Sequence, residues 1–396
     1  MHTLPKDIRY IGAEDDNLDL FEGQYPIPGG ISYNSYFIDD THPTVVDTVD
    51  TRRCDDWLSA LRATLADTGH QAPEYLIVQH MEPDHSGSIK ALVELYPQIR
   101  IVCTAKAAQM LGNFFEEIDF SSRTIIVTDG DTLSTGSTTL SFITAPMVHW
   151  PEVMMTLDTT HGILFSADAF GTFAMSTSTQ PWATEARRYY TNIVGRFGSS
   201  VQSIMKKLTG LQFNTIAPLH GPVLTGDLAP YWLLYDKWSR YEPETQGVLI
   251  AYASIYGGTA HAARTLATML KNRFDGEVVL LDLSRHDVSY AVAEAFRLSH
   301  IVLASVTYDG DLFPPMHDFI HHLQRKNLRD RTIGLIENGS WAPAAARIMT
   351  AALATTKNMT ILSPTVTLHS RLHQSDMQTL ETLATNILDT LSPPKQ

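Results

Sequence analysis

The chain has 396 residues, 44% of them hydrophobic and 18% charged, which is the composition of an ordinary globular protein. Its net charge of -14 is uneven: residues 1–245 carry 16 basic and 30 acidic side chains, whereas residues 246–396 carry 13 of each. Acidic surface argues against nucleic acid, and the sequence shows neither a long apolar run nor a signal peptide, so we expect a cytoplasmic protein that does not enter a membrane.

The two cysteines, Cys54 and Cys103, are too few for a disulfide framework or for an iron site made of four thiolates. We expect them to be small buried hydrophobic residues. The chain length and the uneven charge together predict two separate units.

Residues 1–245 alternate short apolar runs with turns. Strands are predicted at residues 8–12, 35–38, 44–49, 75–78, 99–103 and 124–127. Helices are predicted at 55–66 and around 105–114, the first because its apolar side chains share one face. Strands with few long helices between them predict two sheets packed on each other, with helices outside.

The densest set of chemically active side chains follows the apolar strand at 75–78. Two histidines and two carboxylates fall within six positions: His80, Glu82, Asp84 and His85. Pro83 predicts a loop rather than regular helix or strand, so the four groups are free to converge. A serine after them is expected to cap a helix over 89–95. Such ligands suit iron, manganese or zinc.

Three later apolar strands are each followed by one further potential ligand, namely His149, Asp168 and His220. The candidates then comprise four imidazoles and three carboxylates. These are too many for one tetrahedral ion, but two ions can share them if one carboxylate bridges.

This spacing resembles the metallo-β-lactamase superfamily, whose signature is His-x-His-x-Asp-His followed by His, Asp and His after later strands. Here Glu82 replaces the second histidine, and an anionic oxygen ligand favours iron over zinc. That replacement resembles the flavodiiron proteins. The resemblance implies one iron held by His80, Glu82 and His149. It implies a second iron held by Asp84, His85 and His220, with Asp168 bridging the two.

Two aromatic residues have candidate catalytic roles beside these ligands. Trp150 follows His149 and either borders an electron-transfer path or packs in the core. Tyr25 is a candidate proton donor if its hydroxyl reaches the metal pocket.

A helix is predicted at 231–241, followed by a polar linker at 242–246. Strands are predicted beyond it at 248–253, 278–282, 300–305, 332–336 and 359–364. Helices alternate with them at 260–273, 288–297, 316–325, 342–354 and 375–391, which predicts a doubly wound parallel sheet. The predicted fold class is α/β: a metallo-β-lactamase-like αββα sandwich in residues 1–245, then a flavodoxin-like five-stranded sheet in residues 246–396.

Three loops at the carboxyl ends of these strands are candidate flavin contacts. The first resembles the phosphate loop of flavodoxins and lacks the lysine of an ATP loop; it comprises Ser254, Ile255, Tyr256, Gly257, Gly258 and Thr259. The others comprise Thr307, Tyr308, Asp309 and Gly310, and Asn338, Gly339, Ser340 and Trp341. Tyr308 or Trp341 is expected to stack on an isoalloxazine ring of FMN. Flavodiiron proteins often have Asn where Asp309 stands, and an FMN-free scaffold is the alternative.

As a whole, the chain resembles a flavodiiron protein without further modules. The resemblance implies a diiron centre fed by FMN that reduces dioxygen to water, nitric oxide to nitrous oxide, or both. It also implies a head-to-tail homodimer or a dimer of dimers, and an external electron donor. Rubredoxin is the leading candidate donor, with a deazaflavin or an NAD(P)H-dependent reductase as alternatives. Two other functions stay open: a zinc hydrolase with an appended flavin domain, and an electron carrier tethered to an inactive metal-binding remnant.

Overall fold

The computed structural model describes residues 4–391, which divide into two compact units, one ending at Asp236 and the other beginning at Lys237. The predicted boundary after residue 245 lies inside a strand, because the segment expected to be a linker already pairs from Thr245 onward. No helix within residues 4–391 has the length and apolar character needed to cross a bilayer. The cytoplasmic location stays a prediction.

The first unit contains two six-stranded sheets. The first sheet has the order Ile8–Tyr10, Tyr36–Ile38, Thr44–Val46, Tyr75–Ile77, Arg100–Cys103 and Thr124–Ile126. The second has the order Thr132–Ser134, Thr139–Thr144, Met154–Asp158, Ile163–Phe165, Thr215–Ala217 and Leu224–Thr225. Two small antiparallel pairs join Ala13–Asp15 to Ile31–Tyr33 and Leu20–Phe21 to Tyr25–Pro26.

Side chains from both sheets of this unit meet in one apolar core. Tyr36, Ile77 and Val102 from the first sheet pack in the same cluster as Phe142 and Phe165 from the second. This is the predicted sandwich: each sheet buries one face against the other, and the strands end at a common edge where ligands can meet.

Helices of the first unit include Cys54–Thr68, Pro83–Ser86, Ile89–Leu95, Ala105–Phe114, Trp182–Tyr189, Gly198–Leu208 and Ala229–Arg240, the last continuing past Asp236. Short 3₁₀ segments lie at Thr51–Arg53 and Gly195–Phe197, and a π-helical turn at Tyr190–Val194. The helix Pro83–Ser86 corrects the expectation of a loop: Pro83 occupies its first turn, where a missing N–H breaks no helical hydrogen bond. Ser88 precedes Ile89–Leu95, but its side chain forms no capping hydrogen bond.

The second unit has a parallel sheet in the order Glu277–Asp282, Thr245–Ala253, Leu298–Tyr308, Thr332–Asn338 and Thr360–Ile361. In chain order this is 2-1-3-4-5, the order of flavodoxin-like folds. The predicted strand at 359–364 is shorter in the structure, Thr360–Ile361, and a separate short strand that was not predicted, Val366–Leu368, also pairs with Thr332–Asn338. The break between them contains Pro364, which lacks a donor for the ladder.

Helices cover both faces of this sheet: Gly258–Lys271, Val288–Arg297, Pro314–Arg325, Ala345–Leu353 and Met377–Leu391, with a 3₁₀ turn at Gln374–Asp376. The strand Thr245–Ala253 is buried on both of its faces. Leu249 and Ala251 belong to one apolar core, and Val248 and Ile250 belong to the other. A strand that is buried on both faces needs a layer of helices on each side. The predicted α/β architecture, a sandwich followed by a doubly wound sheet, is confirmed.

Candidate metal centre and flavin loops

Seven side chains predicted as ligands converge in the first unit. Their potential ligand atoms form two groups in which all atoms lie within 4.8 Å of one another: His80, Glu82, His149 and Asp168, and Asp84, His85 and His220. All are buried except Glu82, which is half-buried. The grouping is the one that the sequence resemblance implies, and the role of these residues as metal ligands stays a prediction.

Asp168 lies between the two groups. Its Oδ2 atom is 3.3 Å from His80 Nε2 and 3.1 Å from His149 Nε2. Its Oδ1 atom faces the other way, 3.3 Å from His85 Nε2 and 3.7 Å from His220 Nε2. One carboxylate therefore presents one oxygen to each group, which is the geometry of a bridging ligand.

The remaining carboxylates each complete one group. Glu82 Oε2 lies 2.9 Å from His149 Nε2 and 3.2 Å from His80 Nε2. Asp84 Oδ2 lies 3.3 Å from the Nε2 atoms of both His85 and His220. Each group thus contains two imidazole nitrogens and its own carboxylate, and Asp168 is common to both.

Charges in this cluster raise the pKa values of His80 and His149 and lower the pKa of Asp168. Burial lowers the pKa of His149, but hydrogen bonds to Asp168 and Glu82 outweigh it and raise that pKa to about 9. His80 behaves similarly, since Asp168 raises its pKa well above the ordinary value despite burial. Burial raises the pKa of Asp168, but the histidines lower it further than burial raises it. A bound cation would take over the stabilisation of these carboxylates and displace protons from the imidazoles.

Two of the histidines are oriented through their other ring nitrogen. His80 Nδ1 lies 2.8 Å from Glu152 Oε1, which also accepts a 2.9 Å hydrogen bond from the Met81 N–H. His220 Nδ1 lies 2.8 Å from the carbonyl oxygen of Ser32. Such contacts fix the tautomer and leave Nε2 free for a metal. Sequence reasoning missed Glu152, although it lies only three residues after His149.

Aromatic rings surround His220. The rings of Phe21, Tyr33 and Tyr189 have centroids 5.4, 6.1 and 5.5 Å from its imidazole. The Tyr189 hydroxyl is buried and has no hydrogen-bond partner in residues 4–391. These rings shield His220 from bulk water, since its side chain is buried, and none of the three was predicted from the sequence.

The two aromatic residues with predicted roles lie at different places. The Trp150 ring meets His80 edge-on at 5.3 Å and His149 at 6.1 Å, so it packs directly on two candidate ligands. Tyr25 is 3% exposed, and its hydroxyl donates a 3.3 Å hydrogen bond to the carbonyl oxygen of Asn192. Their catalytic roles stay predictions.

A cavity of about 300 Å³ opens beside the centre, with Glu82 and Asp84 in its wall. Leu20 and Phe21 provide an apolar side, whereas Asp50 and Arg52 provide a charged side. The cavity therefore borders both ligand groups, since Glu82 belongs to one and Asp84 to the other.

In the second unit, hydrogen bonds join the first and third predicted flavin loops to each other, and join the second to the segment that follows the third. Asn338 contacts Thr259 at 3.2 Å, and Thr307 accepts from the N–H of Ala344 at 2.9 Å. Asp309 and Gly310 form a two-residue turn with positive φ between paired strands, a hairpin that sequence analysis had not predicted. The loops therefore lie at one edge of the sheet.

Side chains in these loops differ greatly in exposure. Tyr256 is 99% exposed, Trp341 90% and Tyr308 44%. Large exposed aromatic rings at the carboxyl edge of a parallel sheet are suited to stacking on a planar ligand. Asn338 and Thr259 are instead buried, so their side chains face the protein.

Comparison with known proteins agrees with this geometry. A family model described as ODP family beta lactamase matches residues 31–221. A nitric oxide reductase of Moorella thermoacetica is 29% identical over 91% of this chain and 92% of its own length. An anaerobic nitric oxide reductase flavorubredoxin of Pectobacterium carotovorum is 27% identical over 89% of this chain and 72% of its own.

Solved structures show the same fold over both units. The rubredoxin oxygen:oxidoreductase of Desulfovibrio gigas superposes with a TM-score of 0.90 at 24% identity, covering 98% of each chain. The flavodiiron protein of Giardia intestinalis gives 0.85 at 23% identity, again over 98% of each chain. The class defined by fold and site is a β-lactamase-like unit followed by a flavodoxin-like unit. The resemblance to the flavodiiron proteins is confirmed.

Proposed function

We propose that this protein is a flavodiiron oxidoreductase that reduces dioxygen to water, nitric oxide to nitrous oxide, or both. The observation that carries the proposal is Asp168, whose two oxygens face two separate ligand groups. The names of the related reductases support it, because nitric oxide and oxygen appear in those names.

The donor set fits two iron ions. Apart from the imidazole nitrogens of the cluster itself, the oxygens of the buried Asp84 carboxylate have no hydrogen-bond partner within residues 4–391, and the same holds for Oδ1 of Asp168. Buried carboxylate oxygens without donors are costly unless a cation pairs with them. Mixed imidazole and carboxylate ligands, with Glu82 where the hydrolases have histidine, favour iron.

In this proposal His80, Glu82 and His149 hold one iron. Asp84, His85 and His220 hold the other, and Asp168 bridges. Glu152 and the Ser32 carbonyl orient the imidazoles of His80 and His220. The aromatic rings around His220 exclude water, and the cavity beside Glu82 and Asp84 admits the gas.

The second unit is proposed to bind FMN at its three loops. When bound, reduced FMN and two ferrous ions supply the four electrons that convert dioxygen to two waters, or the two electrons that convert two nitric oxide molecules to nitrous oxide and water. This chain holds the phosphate with the turn at residues 254–259 and the ring with the exposed aromatic residues Tyr308 or Trp341.

We propose a separate electron donor for the flavin, since the two cysteines of this sequence cannot form a rubredoxin-type site. Rubredoxin is the proposed donor, since it appears in the name of the Desulfovibrio gigas structure. A deazaflavin or an NAD(P)H-dependent reductase is the alternative. We also propose a head-to-tail homodimer, or a dimer of dimers, as the assembly.

The test is anaerobic reduction of the iron-loaded, FMN-loaded protein followed by separate titration with each gas. We expect nitric oxide to reoxidise the flavin, dioxygen to be reduced without release of hydrogen peroxide, or both, and Asp168→Ala to abolish this while FMN stays bound. Asp129→Ala is the matched control, because Asp129 is an exposed carboxylate of the same unit that pairs with Lys207. If neither gas oxidises the wild-type protein, the proposal fails. Two zinc ions per chain and no iron would instead favour the hydrolase alternative.

A further inference from the structure

Asn338 joins three segments at the carboxyl edge of the flavodoxin-like sheet. It is the last residue of strand Thr332–Asn338 and is only 5% exposed. Its Nδ2 group donates to Thr259 Oγ1 at 3.2 Å and to the Ser370 carbonyl oxygen at 3.0 Å. Its Oδ1 atom accepts from the Ser370 N–H at 2.9 Å. Both N–H hydrogens of the amide are thus used within the protein, so Asn338 has no donor left for a ligand.

The segment around Ser370 lies directly against the candidate phosphate turn. Ser370 has a φ of 73°, and the bridge between His369 and Arg371 closes a tight turn around it. A Cβ atom on Gly258 would lie 2.1 Å from the Ser370 carbonyl oxygen. Glycine is therefore required at the first position of helix Gly258–Lys271 because another backbone passes there.

We propose that Asn338 is a positioning residue that holds the turn at residues 254–259 in the shape that binds a flavin phosphate, an inference that rests on the proposed function. The backbone N–H groups of that turn and of the helix start bind a phosphate only if their directions are fixed. Asn338 fixes them through Thr259 on one side and, through Ser370, by clamping a second backbone onto Gly258.

Thr307 provides an independent brace for the other part of the flavin site. Its Oγ1 atom accepts from the N–H groups of Ala344 and Ala345 at 2.9 and 3.2 Å, at the start of helix Ala345–Leu353. This bond holds the loop that carries Trp341, whose exposed ring is suited to stacking. Asn338 therefore acts on the phosphate end of the site and Thr307 on the ring end.

FMN and riboflavin separate the two roles, because riboflavin lacks the phosphate. Asn338→Ala is expected to weaken FMN binding by about 10- to 100-fold, since three hydrogen bonds are lost and the Ser370 N–H loses its acceptor. Riboflavin binding should change less than about threefold. Thr307→Val should weaken both flavins by the same factor. Titration of the flavin-free full-length wild type and both variants, followed by flavin fluorescence, measures all six dissociation constants.

Gln324→Ala is the matched control, because it removes two amide hydrogen bonds, to Ala352 and Thr355, at the opposite edge of the sheet. It should leave both dissociation constants unchanged. If Asn338→Ala does not fold, Asn338→Ser keeps one polar partner and should show a smaller loss with the same preference for FMN. Equal losses for the two flavins, or no loss, would overturn the inference. Failure of the wild-type protein to bind either flavin would instead overturn the proposed function.

Discussion

Glu152 offers the sharpest test of how the protein shapes its metal ligands. The Glu152 side chain is fully buried, and its Oε1 atom lies 2.8 Å from His80 Nδ1 and 2.9 Å from the Met81 nitrogen. Glu152→Gln keeps the size of the side chain and its acceptor oxygen but removes the charge. The charge-assisted bond to His80 becomes a neutral one, roughly half as strong.

Glu152→Gln is expected to weaken the binding of iron. Loss of a carboxylate behind a metal-bound histidine typically weakens metal affinity by about 10- to 100-fold, which is about 1.4 to 2.7 kcal/mol. We expect a loss in this range, because His80 would lose both its orientation and the electron density that the carboxylate supplies. Competition with a ferrous-iron chelator under anaerobic conditions gives the affinity of each variant.

Glu14→Gln is a suitable control for this measurement. Glu14 is a half-buried carboxylate in the same unit, and it accepts a hydrogen bond from Ser176 rather than from a candidate ligand. Its iron affinity should equal that of the wild type. If Glu152→Gln also binds iron like the wild type, Glu152 does not support the metal centre and the reasoning is refuted.

Three further predictions concern stability and flavin binding. Burial, and to a smaller extent Arg331, lowers the pKa of His300 from 6.5 to about 4. As the pH falls, this histidine is therefore protonated in the unfolded state before it is protonated in the folded state. The second unit should lose about 2 kcal/mol of stability between pH 7 and pH 5 as a result. Urea unfolding at both pH values measures this, and His300→Gln should abolish that share of the loss; an unchanged pH dependence would contradict it. Phe165→Ala opens a cavity between the two sheets and should cost the first unit about 3 to 5 kcal/mol in the same unfolding assay. A cost below about 1 kcal/mol would mean that the sheets repack there. Gly258→Ala forces the Ser370 backbone away and should weaken FMN binding at least as much as Asn338→Ala does, whereas wild-type affinity would show that the close contact is dispensable.

The candidate ligands could be predicted because each one follows an apolar strand that is easily recognised. His80, His149, Asp168 and His220 lie at strand ends, and the ends of neighbouring strands meet at one edge of a sandwich. The alternation of strands and helices likewise predicted the second unit. Both patterns are local in sequence, so they can be recognised without any knowledge of tertiary contacts.

The supporting residues could not be predicted, because their roles depend on contacts between distant segments. Glu152 meets His80 across 72 positions of the chain, and Asn338 meets Thr259 across 79. Nothing near either residue in the sequence specifies its partner. Asn338 was predicted to contact the flavin, yet its buried amide is directed at the protein. The loop predicted at Pro83 was wrong for a different reason. Proline disrupts the interior of a helix but is favoured in its first turn, which is where Pro83 lies.

Two irons joined by Asp168 are the central feature of the proposed site. The measurement that tests it is the metal content of the purified protein together with Mössbauer and electron paramagnetic resonance spectra of its partly reduced form. We expect two irons per chain with spectra of a magnetically coupled pair, and loss of the coupling in Asp168→Ala. Two zinc ions, or irons that show no coupling in the wild-type protein, would contradict the account.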